Sequence, residues 1–289
     1  MKTLESAPIA PGLYLVATPI GNLRDITLRA LDILAAVDMV ACEDTRVSGK
    51  LMQAYGIKAK LVSYNDHNAD RQRGPIVEKL AAGGRVALIS DAGTPLISDP
   101  GYKLVRDCLD LGVMVTTLPG ANAVLSALQL SGLPNDRFTF AGFAPPKTTA
   151  RKEWLRVLRA APGTLVTYET GPRIAASLAD MAEILGDARP AAVVREITKL
   201  YEESRRGTLR SLADAYANED APKGEIVVVI GAGVEEEASA DDVDTMLRAA
   251  LESLSVRDAA AHVAAATGLP KKQIYERALQ VHRDGTEEE

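Results

Sequence analysis

The sequence predicts an α/β protein, with two consecutive α/β regions and a small helical appendix at the C-terminal end. Three observations predict it. Short apolar runs alternate with segments of helical period from residue 13 to residue 230, and in the first region this is the pattern of a mostly parallel sheet covered on both faces. Gly and Pro breaks around residues 118–122 suggest a hinge between the two regions. The segment 232–242 is acidic and poor in apolar residues, so it reads as a linker to a stretch that is helical in pattern throughout. The domain boundaries that follow are 12–118, 119–233 and 243–283.

In the first region, residues 13–17 form an apolar run that reads as a buried strand, and 27–36 has a helical period. Residues 39–42 read as a strand, 45–54 as a helix, 61–63 as a short strand and 69–82 as a helix. The region closes with a strand at 86–89, a helix at 102–111 and a strand at 113–117. The second region has helices at 123–131, 152–160, 174–185 and 209–216, and strands at 138–143, 165–168, 191–195 and 225–230. In the appendix Ser255 is placed to cap a helix that runs to Thr267. Gly268-Leu269-Pro270 breaks it, and residues 271–281 form another helix. Two helices joined by a short Gly-containing turn fit a helix-turn-helix, and equally a plain hairpin packed on a partner subunit. The acidic tail after Arg283 reads as disordered.

Composition narrows the function classes. Apolar residues make up 47% of the 289 and aromatics only 4%, so the core is aliphatic. The formal net charge of −6 argues against a protein that coats nucleic acid, although a local basic patch suffices for an RNA-modifying enzyme. Cys42 and Cys108 stand in apolar contexts without metal-ligand spacing, and His67, His262 and His282 are scattered, so no metal site is expected. No signal-peptide pattern and no membrane-length apolar run is present, which places the protein in the cytoplasm as an expectation.

In an open parallel sheet, ligands bind outside the carboxyl ends of the strands. Here those ends run into Thr18-Pro19-Ile20-Gly21-Asn22, Glu43-Asp44-Thr45-Arg46, Ser90-Asp91-Ala92-Gly93-Thr94-Pro95 and Leu118-Pro119-Gly120-Ala121-Asn122. Each alone is ordinary turn punctuation, but together they gather small residues and charges on one edge, where backbone groups can approach a ligand. Neither GxGxxG nor GxxxxGK[ST] occurs. A nicotinamide dehydrogenase or a P-loop nucleotidase is therefore a poor reading, and a ligand without phosphates, such as S-adenosylmethionine, fits better.

These motifs resemble a known family. The run Leu15-Val16-Ala17-Thr18-Pro19-Ile20-Gly21-Asn22-Leu23, the Glu43-Asp44-Thr45-Arg46 loop and Tyr64-Asn65-Asp66-His67-Asn68 are similar to its first motifs. So are Ser90 to Pro95 with Ile97-Ser98-Asp99-Pro100-Gly101-Tyr102, and later Ser131-Gly132-Leu133-Pro134, Arg195-Glu196-Ile197-Thr198-Lys199, Lys223-Gly224-Glu225 and Lys271-Lys272-Gln273-Ile274-Tyr275. The family is the bacterial ribosomal RNA small-subunit methyltransferase I family, of the tetrapyrrole methylase fold, and the resemblance covers roughly residues 12–280. The sequence departs from its pattern at Ala17, where the family has Pro, and at Ala121-Asn122, where it has Pro-Ser. The Tyr168-Glu169-Thr170-Gly171-Pro172-Arg173 stretch lacks a His that the family carries.

The resemblance implies two α/β domains with S-adenosylmethionine folded in the cleft between them, a helix-turn-helix-like appendix, and a homodimer. It implies 2′-O-methylation of a cytidine in the decoding region of 16S ribosomal RNA, with the assembled small subunit as substrate. Cofactor contacts are then expected from Pro19, Gly21, Asp91, Ala92, Gly93, Thr94, Pro95, Gly120, Ala121, Tyr168 and Gly224. Asp91 could instead merely hold its turn, and Asp99 reads as a helix cap with Pro100 in the first turn.

Methyl transfer is largely a positioning task, helped by an acceptor for the hydroxyl proton. Candidates are Asp44, which could instead cap the next helix, Asn22, which could be a plain turn residue, and His67, which could be merely solvated. RNA contacts are expected from Arg24, Arg46, Lys147, Arg151 and Lys152, the last two in a basic run with Arg156 and Arg159. Lys271 and Lys272, with Arg277, form a second patch, and either patch could be an ordinary solvated face. Two other functions stay open. One is a tetrapyrrole methylase acting on a precorrin carbon, against which the absence of Gly-x-Gly-Pro-Gly-Asp at the first strand end speaks. The other is a non-catalytic RNA-binding or ribosome-assembly protein.

Overall fold

A computed structural model describes residues 9–233, 240–267 and 269–287. The chain divides into two compact units, residues 1–233 and 234–289.

The first unit opens with five strands, β1 (Gly12–Val16), β2 (Met39–Cys42), β3 (Leu61–Ser63), β4 (Arg85–Ile89) and β5 (Val115–Leu118). Four helices alternate with them, α1 (Leu28–Ala36), α2 (Thr45–Ala54), α3 (Ala69–Ala81) and α4 (Tyr102–Asp110). The strands form one sheet in the order β3-β2-β4-β1-β5 with every pairing parallel. Successive strand residues face opposite sides. Tyr14, Val16, Val40, Cys42, Ala87 and Ile89 pack with Leu31 and Leu34 of α1 and Met52 of α2. Leu13, Met39, Ala41, Val86 and Leu88 pack with Ile76 and Leu80 of α3 and Leu104 of α4. The strand order has one functional consequence. From β1 the chain moves toward β2 on one side of the sheet, and from the adjacent β4 it moves toward β5 on the other. The loops after β1 and β4 therefore part at a topological switch point, where a ligand crevice forms.

The rest of this unit comprises α5 (Ala123–Ser131), β6 (Phe138–Phe143), α6 (Thr148–Leu158), β7 (Thr164–Thr170), α7 (Ile174–Leu185), β8 (Pro190–Arg195), β9 (Glu203–Thr208), α8 (Leu209–Ala217) and β10 (Glu225–Ile230). Its sheet runs β6-β7-β10-β8-β9, with β6 parallel to β7 and the other neighbours antiparallel. Helices α6, α7 and α8 cover one face through Leu155, Leu178, Met181 and Leu212. Helix α5 covers the other through Val124, Ala127 and Leu128, and Ile20 from the loop after β1 is buried in the same cluster. The first sheet's leading loop is thus anchored on the second sheet.

Three local expectations change. β9 reads as loop in sequence because Glu203-Ser204-Arg205-Arg206-Gly207-Thr208 has no apolar alternation, yet it pairs with β8 from Pro190↔Thr208 to Arg195↔Glu203. An edge strand needs only backbone pairing on one side, and charged side chains suit it. Helix α6 begins at Thr148 rather than at residue 152, because Arg151 is drawn into the interior. Asp99 is no helix cap: α4 starts at Tyr102 behind Gly101, whose φ is 139°.

The second unit has three helices, α9 (Ala240–Leu251), α10 (Val256–Thr267) and α11 (Lys271–Glu287). Val243, Leu247, Ala260, Val263, Ile274, Ala278 and Val281 make its core. Ser255 does cap α10: its hydroxyl accepts the Asp258 N–H at 3.2 Å and donates to the Asp258 carboxylate at 2.7 Å. Residues 234–239 of the expected linker and Gly268 of the expected break lie outside the described residues, and so do Glu288 and Glu289. The tail expected to be disordered after Arg283 instead continues α11 to Glu287. Among the described residues no helix is long and apolar enough to cross a membrane.

Candidate active site

The switch point is held together by hydrogen bonds between loops. Thr18 and Gly93 exchange backbone bonds of 2.9 and 3.0 Å. The Thr18 hydroxyl donates to the Ser90 carbonyl at 3.1 Å, and the Ser90 hydroxyl to the Gly93 carbonyl at 3.1 Å. The Thr94 hydroxyl donates to the Ala121 carbonyl at 3.2 Å and accepts from Asn122 Nδ2 at 3.1 Å. Gly120 faces Ala17, since a Cβ there would stand 2.8 Å from the Ala17 Cβ. The loops after β1, β4 and β5 therefore form one rigid frame.

A cleft of about 290 Å³ opens between this frame and the second sheet. Asp91, Ala92 and residues 97–99 line it from the first sheet, together with Ile20 and Glu43. Phe143, Tyr168, Glu169, Thr170 and residues 224–227 line it from the second. Tyr168 is wedged between Phe140 and Phe143, with ring centroids 4.9 and 5.1 Å away. Burial, then the charges of Asp99 and Glu225, push its phenol up to about 12, so it stays a neutral donor at physiological pH. Glu169 is buried but partnered, accepting from Arg173 Nε at 2.7 Å and from the Ser177 hydroxyl at 3.1 Å.

The cleft carries negative charge at low solvent access. Burial, then repulsion from Glu43, lifts the Asp99 carboxyl to about 6 against the lowering hydrogen bond of Ser90. Burial also raises the Asp91 and Glu43 carboxyls, Glu43 further through Asp91, Asp66 and Asp44. A polar hollow of about 440 Å³ lies alongside, lined by Asp44, Arg46, Ser63, Asn65, Asp66 and His67, and it shares Glu43 and Asp91 with the cleft.

Of the residues expected at a cofactor site, Asp91, Ala92, Tyr168 and Gly224 line the cleft. Gly93, Thr94, Gly120 and Ala121 sit behind its wall in the loop frame. Neither Pro19 nor Pro95 reaches the lining, and Gly21 packs against the Lys199 side chain so closely that a Cβ would overlap it. The reason is geometric: loops that approach a ligand must also approach one another, and the small residues serve the second contact. Glu43, Asp99, Phe143 and residues 225–227 were missed, although Glu43 and Asp99 stand inside motifs already singled out.

Among the catalytic candidates, Asp44 caps α2 and takes a two-pronged bond from Arg46, at 2.6 to 3.1 Å. The Arg46 guanidinium and backbone N–H hold its carboxyl down to about 2, which makes it a poor proton acceptor. Asn22 accepts the Arg24 N–H at 3.1 Å as the cap of a short turn, with Arg24 exposed. His67 lines the polar hollow.

The basic run on α6 is not an open RNA-facing stripe, which corrects the expectation for Arg151. Its side chain is 2% exposed and bonds Asp180 at 2.6 to 2.8 Å and the Pro145 and Pro146 carbonyls. Lys152 is half-covered and pairs with Glu183 at 2.6 Å, while Lys147 is exposed. In the second unit, Lys271 and Lys272 line a groove of about 640 Å³ with Arg257 and Tyr275, whereas Arg277 is paired to Asp244 at 2.6 Å. Among the described residues no cluster of His, Cys, Asp or Glu could hold a metal ion.

With this geometry in place, the comparisons with known proteins fall into two layers. Solved structures share the fold at low identity. Uroporphyrin-III C-methyltransferase from Thermus thermophilus superposes with a TM-score of 0.54 at 20% identity, over 78% of this chain and 96% of that one. A conserved hypothetical protein from Aeropyrum pernix K1 superposes with a TM-score of 0.60 at 19% identity, over 96% and 98%. Sequence relatives are far nearer. Proteins named ribosomal RNA small subunit methyltransferase I are 50% identical in Mesorhizobium japonicum (96% of this chain, 95% of that one) and 43% identical in Escherichia coli O157:H7 (97% and 99%). The model of the tetrapyrrole (corrin/porphyrin) methylases matches residues 12–213, and that of the RsmI C-terminal HTH domain matches 237–281. The chain therefore belongs to the tetrapyrrole methylases and, within them, to the ribosomal RNA small subunit methyltransferase I family.

Proposed function

We propose that the chain is an S-adenosylmethionine-dependent methyltransferase of small-subunit ribosomal RNA, acting on the ribose 2′-hydroxyl of a cytidine in the decoding region of 16S RNA within the assembled subunit. The observation that carries the reading is 43–52% identity, over nearly the full length, to proteins named for that RNA. The fold alone would fit a tetrapyrrole methylase equally well, since its solved neighbours at about 20% identity include one. Identity at twice that level, together with the appendix, decides between them.

The cleft suits the methyl donor. S-adenosylmethionine has a sulfonium, an ammonium and a carboxylate, a net charge of one positive, and no phosphate. Glu43, Asp91 and Asp99 set negative charge beside Ile20, Phe143, Ile226 and Val227, so a cation with an apolar body is matched at both ends. When bound there, the donor supplies an electrophilic methyl carbon. The protein's own work is to hold the acceptor in line with it and to exclude water. The loop frame gives rigidity, and Tyr168 and Gly224 close the second-sheet side. In the polar hollow, Arg46 and His67 are proposed to receive the ribose and its phosphates, and the exposed Asn22 and Arg24 of the loop after β1 are proposed to contact RNA as well. Lys147, Lys271 and Lys272 are proposed to hold RNA further away, with Arg257 adding charge and Tyr275 a stacking face in the appendix groove. The enzyme is proposed to work as a cytoplasmic homodimer. Exposed Leu109, Leu111 and Met114, within six residues of one another, offer such a contact apolar surface.

The test uses purified protein, methyl-labelled S-adenosylmethionine, and small subunits from a strain lacking the endogenous enzyme, beside free 16S RNA and a tetrapyrrole mixture. Label on a cytidine 2′-oxygen, from subunits, is expected. Label on pigment, or none anywhere despite tight donor binding, overturns the RNA assignment.

A further inference from the structure

The cleft and the polar hollow share a wall, and that wall is Glu43 and Asp91. A methyl group held in the cleft and a hydroxyl entering from the hollow meet where the two cavities share surface. The Glu43 and Asp91 carboxylates stand at that place, with Asp44 and Asp66 beside it in the hollow and Asp99 in the cleft. Asp66 and Asp99 each line one cavity and not the shared wall, and among Glu43, Asp91 and the adjoining Asp44 the partners distinguish the three. Both oxygens of Asp44 are taken by Arg46. Asp91 Oδ1 accepts the Asp44 N–H at 3.1 Å, so Asp91 holds the turn that carries Glu43. The Glu43 carboxylate alone of the three neither accepts a hydrogen bond from nor pairs with a described residue, and its surroundings are the like charges of Asp91, Asp66 and Asp44. Its backbone is nevertheless fixed, because its carbonyl accepts from the Ser63 hydroxyl at 3.2 Å and from Asn65 Nδ2 at 3.5 Å. The result is a free carboxylate on a held backbone at the junction of two cavities.

We propose that Glu43 is the catalytic residue that takes the proton from the ribose 2′-hydroxyl. The proposal rests on the methyltransferase reading above. In the step, the 2′-oxygen forms a bond to the methyl carbon as the carbon–sulfur bond breaks. The bonding pair goes to sulfur, which changes from a sulfonium to a neutral thioether, and the hydroxyl proton passes to the Glu43 carboxylate and then to water. Burial and the surrounding carboxylates raise the Glu43 carboxyl, which brings it nearer the strength a base needs, while Asp44 is held too low. Arg46, which lines the hollow, is committed to Asp44 and leaves Glu43 unneutralised.

The experiment compares wild type, Glu43→Gln and Glu43→Asp in three measurements: calorimetric binding of S-adenosylmethionine, binding to small subunits, and single-turnover methylation across pH. For Glu43→Gln, subunit binding is expected to stay within about threefold of wild type and donor affinity to fall by no more than about tenfold, since one of the cleft's charges is lost, while the single-turnover rate at saturating donor falls by roughly 10²–10⁴-fold, the size of a lost general base. The acidic limb of the wild-type pH profile should vanish in the same variant. Glu43→Asp keeps the charge and retracts it by one methylene, so it should recover part of the rate and the limb. A Glu43→Gln enzyme with wild-type rate and pH limb overturns the proposal, and so does a rate loss matched by an equal loss of donor affinity, which would make Glu43 a cofactor contact. Wild type that binds the donor yet leaves subunits unmethylated overturns the function reading instead, and the two failures are told apart by the wild-type lane alone.

Discussion

Asp99 shows at the scale of one residue how the cleft trades stability for charge. Its carboxyl lies near 6 in the folded chain, above the roughly 3.9 of an unfolded Asp, so ionising it favours unfolding. The penalty is absent below about pH 4, grows between about 4 and 6, and is complete above that. Asp99→Asn is therefore expected to raise the melting temperature at pH 7.5, with the advantage gone at pH 4, and to weaken donor binding because a negative charge leaves the cleft. Melting curves at the two pH values and a calorimetric titration check both signs. Gly224 is a second case. Its φ is 98°, and a Cβ there would overlap the Glu196 carboxylate. Gly224→Ala should cost more than about 1 kcal/mol in denaturant unfolding and weaken the donor site with it.

At the scale of elements, the Arg151–Asp180 pair joins α6 to α7 in a place water does not reach. Among the described residues, Arg151→Ala leaves Asp180 with only the more distant Lys152, at 3.8 Å. Breaking a buried pair from one side costs about 3–5 kcal/mol, so the variant should lose stability on that order in urea unfolding. A residue that merely touched RNA on the surface would show almost no change. The same pair explains why α6 extends back to Thr148. Helical period in the sequence marks where apolar residues face a core, and a buried Arg is invisible to it. β9 escaped for the converse reason, since its stability comes from pairing with β8 and not from its own side chains. Most other elements were legible. The limits of α2, α5, α7 and β10 follow directly from apolar period and flanking polar residues, with Asp44 and Asn122 supplying the caps of the first two.

For the whole molecule, a net charge of −6 concentrates the question on where cations stand unpaired. Many basic side chains of the first unit close ion pairs, among them Arg85, Lys152 and Arg205, whereas Arg257, Lys271 and Lys272 line one groove together. Replacing Lys271 and Lys272 by Ala in the full chain should weaken subunit binding. It should also flatten the plot of log affinity against log salt by about 0.7–0.9 for each phosphate no longer neutralised. An unchanged slope in a filter-binding series would remove these two lysines from the RNA interface. Donor binding at about 100 times Kd should add roughly 2.7 kcal/mol to stability, provided the unfolded chain does not bind it.

Sequence by itself determined the α/β class, nearly every element, the helical appendix and the strand-end motifs that identify the family. Each of these is written in local periodicity, caps and short runs of residues. Only the tertiary structure decided which motif residues line the cleft and which brace the loops, for instance Asp91 against Gly120, or Glu43 against Asp44. It alone showed Arg151 to be interior, Asp99 to belong to the cleft, and two cavities to share one wall. The physical reason is that neighbouring residues of a turn point to different surroundings, and those surroundings come from strands and loops distant in the chain. Their meeting is set by strand order and register, which local pattern does not contain.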